Sequence, residues 1–106
     1  MSRSSHRTAV EQALRAFCRE FTGRETGWHV ETWYHPIVKS VEAAVVAEEF
    51  ANLRFMQRGS VVLDYLRKHL PAEDFVNVSL VKALTPQEYE ESDWVPSYPT
   101  LSLTAA

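Results

Sequence analysis

Val10, Ala13, Leu14, Phe17, Cys18 and Phe21 recur at three- and four-residue steps, which places them on one apolar stripe of a helix. Residues 1–7 ahead of them are polar and are expected to form a flexible N-terminus, and Gly23 stops the helix. From Trp28 to Tyr34 the rhythm changes to strict alternation. Trp28, Val30, Thr32 and Tyr34 fall on one side, with His29, Glu31 and Trp33 on the other, as in a strand with one buried face. Pro36 ends it. Ser40 to Ala47 is a second β-rich run, apolar at both parities near its end, so it is expected to be covered on both faces. With His35 to Lys39 as the connection, the two runs predict an antiparallel hairpin.

Asn52 is a candidate cap for a helix whose apolar positions Phe55, Met56, Val62, Tyr65 and Leu66 run on to His69 and Leu70-Pro71. Gly59 lies inside it as a weak point, because glycine costs about 1 kcal/mol against alanine there. One helix or two short ones are both open. Residues 75–84 read as a third strand. Thr85-Pro86-Gln87-Glu88 then combines an N-cap threonine, proline at the first helical position and glutamate at the capping-box position, so a short helix begins there and ends near Glu91. Residues 92–106, interrupted by Pro96 and Pro99, are expected to be an extended C-terminal tail.

The predicted order is helix, strand, strand, helix or helix pair, strand, helix. It describes a single α+β domain over residues 8–91, with a three-stranded sheet and helices packed on one face. A length of 106 residues suits one core, and the hydrophobic (45%) and charged (24%) fractions are those of a folded globular chain. No run approaches the roughly 20 apolar residues of a membrane helix, and no apolar signal core follows Met1, so the cytoplasm is the expected compartment. The lone Cys18 has no internal disulfide partner and falls on the apolar stripe, where a buried thiol is common. The net charge of −3 gives no global attraction to nucleic acid, which would require a strongly polarised surface.

Two stretches carry a resemblance. Phe50, Gln57, Arg58, Val62 and Leu66 in the first, and Lys82, Thr85, Pro86, Glu88 and Tyr89 in the second, together with the element order, are similar to the BolA family, a small α+β fold related in topology to the type II KH domain. The resemblance covers roughly residues 8–91. It implies a non-enzymatic adaptor or regulator whose protein partner is a monothiol glutaredoxin, with an iron–sulfur cluster shared between them. Arg58, Trp33 and Asn77 are the partner-binding candidates, and His35, in the loop where family members supply a ligand, is the metal candidate. Asn77 stands where the family carries a cluster-binding histidine, and Gly59 replaces the histidine of its arginine-histidine-arginine segment. Asparagine offers no imidazole, so the implied cluster site has half its constellation missing.

Other readings stand beside this one. Arg54 and Arg58, four apart, with Arg67 and Lys68 further along, resemble a nucleic-acid-contacting helix in a KH-like frame, although only Gly59 is present of a GXXG loop. A transcriptional regulator would use that helix. A structural homodimer built through sheet edges is a third possibility, in which the partner is a second copy of the chain. Trp33, pointing away from the core, marks either a contact surface or a site covered by the tail or a second subunit. His29 and His35 are about 20 Å apart along an extended strand and cannot share a metal unless the chain bends. His35 is otherwise a solvated loop residue, and His69 a helix C-terminal charge. Without a G-x-S-x-G, P-loop or G-x-G-x-x-G motif, the scattered acids read as solvated charge and no catalytic set assembles.

Overall fold

The structure is a computed structural model that describes residues 3–92, with side chains from residue 6 onward. Its first helix, α1 (Arg3–Thr22), buries Val10, Leu14, Phe17 and Cys18. Residues 3–7 belong to it, so the stretch expected to be a flexible N-terminus is helical from Arg3. Gly23, at φ +70°, closes the helix by donating its N–H to the Arg19 carbonyl at 2.9 Å. A left-handed terminal residue of this kind favours glycine because a Cβ would be strained there.

Two strands follow, β1 (His29–His35) and β2 (Ser40–Val46), paired antiparallel with Val30 opposite Val45 and Thr32 opposite Ala43. The hairpin is the one the alternation predicts, except that His35 ends the strand instead of opening the loop. Strand β3 (Val78–Leu84) pairs parallel with β2, which is therefore central in the order β1-β2-β3. A parallel pair needs a long crossover. It is made by a short 3-10 turn, α2 (Glu48–Asn52), then α3 (Phe55–His69) and α4 (Ala72–Phe75).

The crossover differs from expectation at two boundaries and decides between the two alternatives left open at Gly59. Asn52 ends α2 instead of capping the long helix; Arg54 takes the cap position, its N–H donating to Gln57 Oε1 at 3.1 Å. Gly59 does not break α3, which runs through it as a single helix. The third strand starts at Val78, because Phe75 is the last residue of α4.

Helices α1 and α3 pack on one face of the sheet. Phe17, Phe21 and Phe50 form a stacked group, with ring centroids 5.1 Å apart for Phe17–Phe21 and for Phe21–Phe50. Val62 and Leu66 of α3 close the core against Val30, Val41 and Val45 of the sheet. Each such side chain contributes roughly 1.5–3 kcal/mol by leaving water. Thr32, a buried polar residue on this face, is satisfied from α1: it accepts from Arg7 Nε at 3.0 Å and donates to Glu11 Oε1 at 3.0 Å.

β2 is buried on both faces, as its apolar residues at both parities imply: Ala44 and Val46 on the far side are buried, as are Ala43 and Val45. The last helix, α5 (Pro86–Ser92), lies at the end of the sheet and reaches the far face through Tyr89, whose hydroxyl donates to Glu31. The extended tail expected over 92–106 lies outside the described residues beyond Ser92. No helix among the described residues is long and apolar enough to cross a membrane.

Candidate partner-binding site

One end of the sheet gathers several of the residues singled out by sequence. His35 pairs with Ser40 across the hairpin, and the N–H of the next residue, Val41, donates to the Asn77 carbonyl at 2.7 Å. The β1–β2 turn and the approach to β3 therefore share that end, about two strand spacings, or 10 Å, apart. His35 is buried (8% exposed), and its Nδ1 accepts the Val38 N–H at 3.3 Å. It is a strand-end histidine held by its own turn, not a solvated loop residue. Asn77 is half-buried, and its Nδ2 donates to the Glu73 carbonyl at 2.7 Å, which ties off α4. Around these two polar anchors stand Ile37 (74% exposed), Val38 (52%) and Val76 (73%). Trp33, half-buried, lies two residues before His35 on the same face of β1, opposite Glu42.

Arg58 is not part of this end. Its guanidinium is buried at the opposite end of β3, where Nη1 donates to Glu88 Oε1 at 2.6 Å and to the Ala83 carbonyl at 3.5 Å, and Nε donates to the Leu53 carbonyl at 3.4 Å. Six residues of strand put it about 20 Å from Asn77. Burial takes it out of reach of a partner at the His35 end, and equally of a phosphate backbone. Arg54, outside the helix as its cap, is exposed, so the pair expected to share one helical face is split between surface and interior. Arg67 and Lys68 are exposed in the last turn, about 20 Å from Arg54, and Arg67 is engaged by Asp64 at 2.5 Å. The four cations do not converge on one patch.

Glu88 is tuned by this arrangement. The Thr85 N–H donates to its Oε1 at 2.8 Å, and this contact, with Arg58 next, holds the carboxyl below its ordinary range. Tyr89 is shifted the other way, up, mainly because its hydroxyl donates to Glu31. Burial, with Glu20 at 2.5 Å, pushes Tyr65 up to about 12. Burial likewise pushes the Cys18 thiol up to about 12.

Sequence reasoning missed two pairs, the first because its members lie 68 residues apart in the chain. His6 Nδ1 meets the buried Asp74 Oδ1 at 2.5 Å and ties the start of α1 to α4. His29 Nε2 lies 2.8 Å from Glu31 Oε1, the atom that also receives Tyr89. Of these, only the placing of His29 and Glu31 on alternate strand positions leaves a signal in the sequence.

No family model matches the chain, and no curated protein does. Among solved structures, the solution structure of the BolA1 protein from Mus musculus superposes with a TM-score of 0.52 at 24% identity, covering 81% of this chain and 72% of that one. The chain has a BolA-like fold. The residues present do not supply the implied ligand pair: Asn77 has no imidazole and donates its amide N–H to α4, which leaves His35, whose Nδ1 accepts from the turn, without the second ligand.

Proposed function

We infer that this BolA-like protein is a non-catalytic adaptor or regulator that binds a protein partner through the end of the sheet formed by the 36–39 turn and the approach to β3. The observation that carries the reading is the apolar group Ile37, Val38 and Val76, left in solvent beside two polar residues already held in place. Exposed apolar clusters on a rigid frame are what protein partners bury, and the fixed turn lowers the ordering cost of doing so. The partner class is a monothiol glutaredoxin. Trp33, on the same face as His35, extends the surface. Because Asn77 and His35 do not provide a cluster ligand pair, the complex forms through protein contacts and is colourless.

Calorimetric titration with a monothiol glutaredoxin tests this, comparing the wild type with Ile37→Asp combined with Val38→Asp. Binding by the wild type with at least a tenfold loss in the variant is expected. No binding by the wild type removes the glutaredoxin reading. Equal binding by both moves the contact elsewhere. Visible absorbance from a bound cluster would overturn the statement that the complex is colourless. Salt-dependent binding of short DNA that is lost in Arg54→Ala would favour a nucleic-acid regulator instead.

A further inference from the structure

The face of the sheet turned away from α1 and α3 is buried, although neither of those helices packs on it. Its β2 residues Glu42 (4% exposed), Ala44 (0%) and Val46 (5%) are withdrawn from water, as is Leu84 beside Val46 on β3. Ala44, Val46 and Leu84 lie outside the core cluster that α1 and α3 close. Tyr89 of α5 accounts for one end: its hydroxyl donates to Glu31 and its ring centroid is 5.8 Å from that of His29, across from Ala44 and Val46. Glu42 is at the other end, opposite Trp33 and about 7 Å further along the strand than Ala44. The helix at that end, α4, is clasped to the start of α1 by His6 and Asp74 and so sits on the helical side of the sheet. A carboxyl-bearing side chain on a central strand is rarely this inaccessible without something lying over it.

The chain that follows Ser92 suits this face in position, composition and length. It leaves α5 three residues after Tyr89, which is already on the far face. Residues 93–106 carry Asp93 as their sole charged side chain, together with Trp94, Val95, Tyr98, Leu101 and Leu103, a set that gains by leaving water. Pro96 and Pro99 lack a backbone N–H, so the segment is ill suited to add a strand at an edge and better suited to lie over a sheet face, where side chains make the contacts. Fully extended it spans about 45 Å, roughly twice the length of a seven-residue strand, which is ample to pass from Tyr89 beyond Trp33 and Glu42.

We propose that the far face of the sheet is a docking surface whose occupant is the chain's own C-terminal segment, residues 93–106. It acts as a strap that leaves α5 at the His29 end and crosses β2 toward Trp33 and Glu42, setting its apolar side chains on Ala44 and Val46. Tethering selects this occupant over a second copy: a segment attached beside its docking face is present there at an effective concentration on the order of millimolar, whatever the concentration of the protein. The strap covers Trp33, so a partner docking at the His35 end gains that side chain only by displacing it. That consequence rests on the adaptor reading; the strap itself does not.

NMR of the full chain reads the contact directly. NOE contacts are expected between the ring protons of Trp94 or Tyr98 and the methyl groups of Ala44 or Val46, and not to Ala43 or Val45 on the core side. Trp94→Ser combined with Tyr98→Ser should shift the Ala44 and Val46 methyl signals while leaving those of Val62 and Leu66 in place, and should raise the binding of an apolar fluorescent dye severalfold as the face is uncovered. Absence of any NOE contact from residues 93–106 to the far face overturns the proposal. So does a double variant whose methyl signals and dye binding match the wild type. In a mixture of labelled and unlabelled chains, contacts found only between copies would give the face to a second copy and overturn it equally. Every readout uses the protein alone, so a failed glutaredoxin titration counts against the adaptor reading and not against the strap.

Discussion

Arg58 and Glu88, thirty residues apart, meet at 2.6 Å between Nη1 and Oε1, and the contact joins the crossover helix α3 to the last helix α5. Glu88 does two things at once. It accepts from the Thr85 N–H as the returning half of a capping box, while Thr85 Oγ1 accepts from the Glu88 N–H at 3.2 Å. The same carboxylate neutralises a guanidinium that is otherwise surrounded by backbone carbonyls and a Phe55 ring 5.7 Å away. Replacing it therefore costs a cap and leaves a buried charge without its counter-ion. Glu88→Ala should lower stability by about 2 kcal/mol in urea unfolding, tempered by the solvent that still reaches its side chain. In a double-mutant cycle with Arg58→Ala the two losses should be clearly less than additive; additive losses would show that the pair is not coupled.

The same pair has a pH signature. The Glu88 carboxyl is held below its ordinary value of 4.5 by the Thr85 N–H and by Arg58. A group depressed in the folded state contributes stability that is fully present above its unfolded value and is lost as pH falls through the folded one. Thermal unfolding midpoints from pH 6 to pH 3 should therefore fall more steeply in the wild type than in Glu88→Gln. Parallel curves would remove Glu88 as a source of acid sensitivity.

Gly59 sits in the middle of α3 with helical backbone and no neighbour within 4 Å of an added Cβ. Gly59→Ala should accordingly stabilise the protein by about 0.5–1 kcal/mol, read by chemical denaturation. A loss of stability would mean that the position is not an ordinary helix interior.

The Cys18 thiol is buried and pushed up to about 12 from its ordinary value of 9.0. Only the thiolate attacks disulfide and alkylating reagents, so labelling of the native protein near pH 8 should be on the order of a thousandfold slower than after denaturation. Comparable rates in the two states would show that the region around α1 opens readily.

Much of the architecture was legible because it is written in local periodicity. The stripe from Val10 to Phe21, the alternation from Trp28 to Tyr34 and the Thr85–Glu88 capping box each need only neighbours a few residues away, and each appears as read. Boundaries were less so. Whether Asn52 or Arg54 caps the long helix depends on where Phe50 is anchored among Phe17 and Phe21, a contact between distant segments. Glycine at 59 weakens a helix intrinsically, yet Val62 and Leu66 bury on either side of the next turn, and that packing outweighs about 1 kcal/mol.

By itself, then, the sequence placed the long helical stripes and the alternating strands, since hydrophobic spacing of 3.6 or 2 is a property of the chain's own order, while α2 and α4 are too short to show a period and β3 starts three residues later than the pattern suggests. Tertiary structure alone decided what the charged and polar side chains do. Arg58 reads as a surface cation until β3 and Glu88 close over it. Glu88 reads as solvated charge until Arg58 arrives from the crossover helix, and His35 reads as a loop residue until β1 extends to include it. A side chain's burial and partners are set by segments tens of residues away, and no local pattern carries that information.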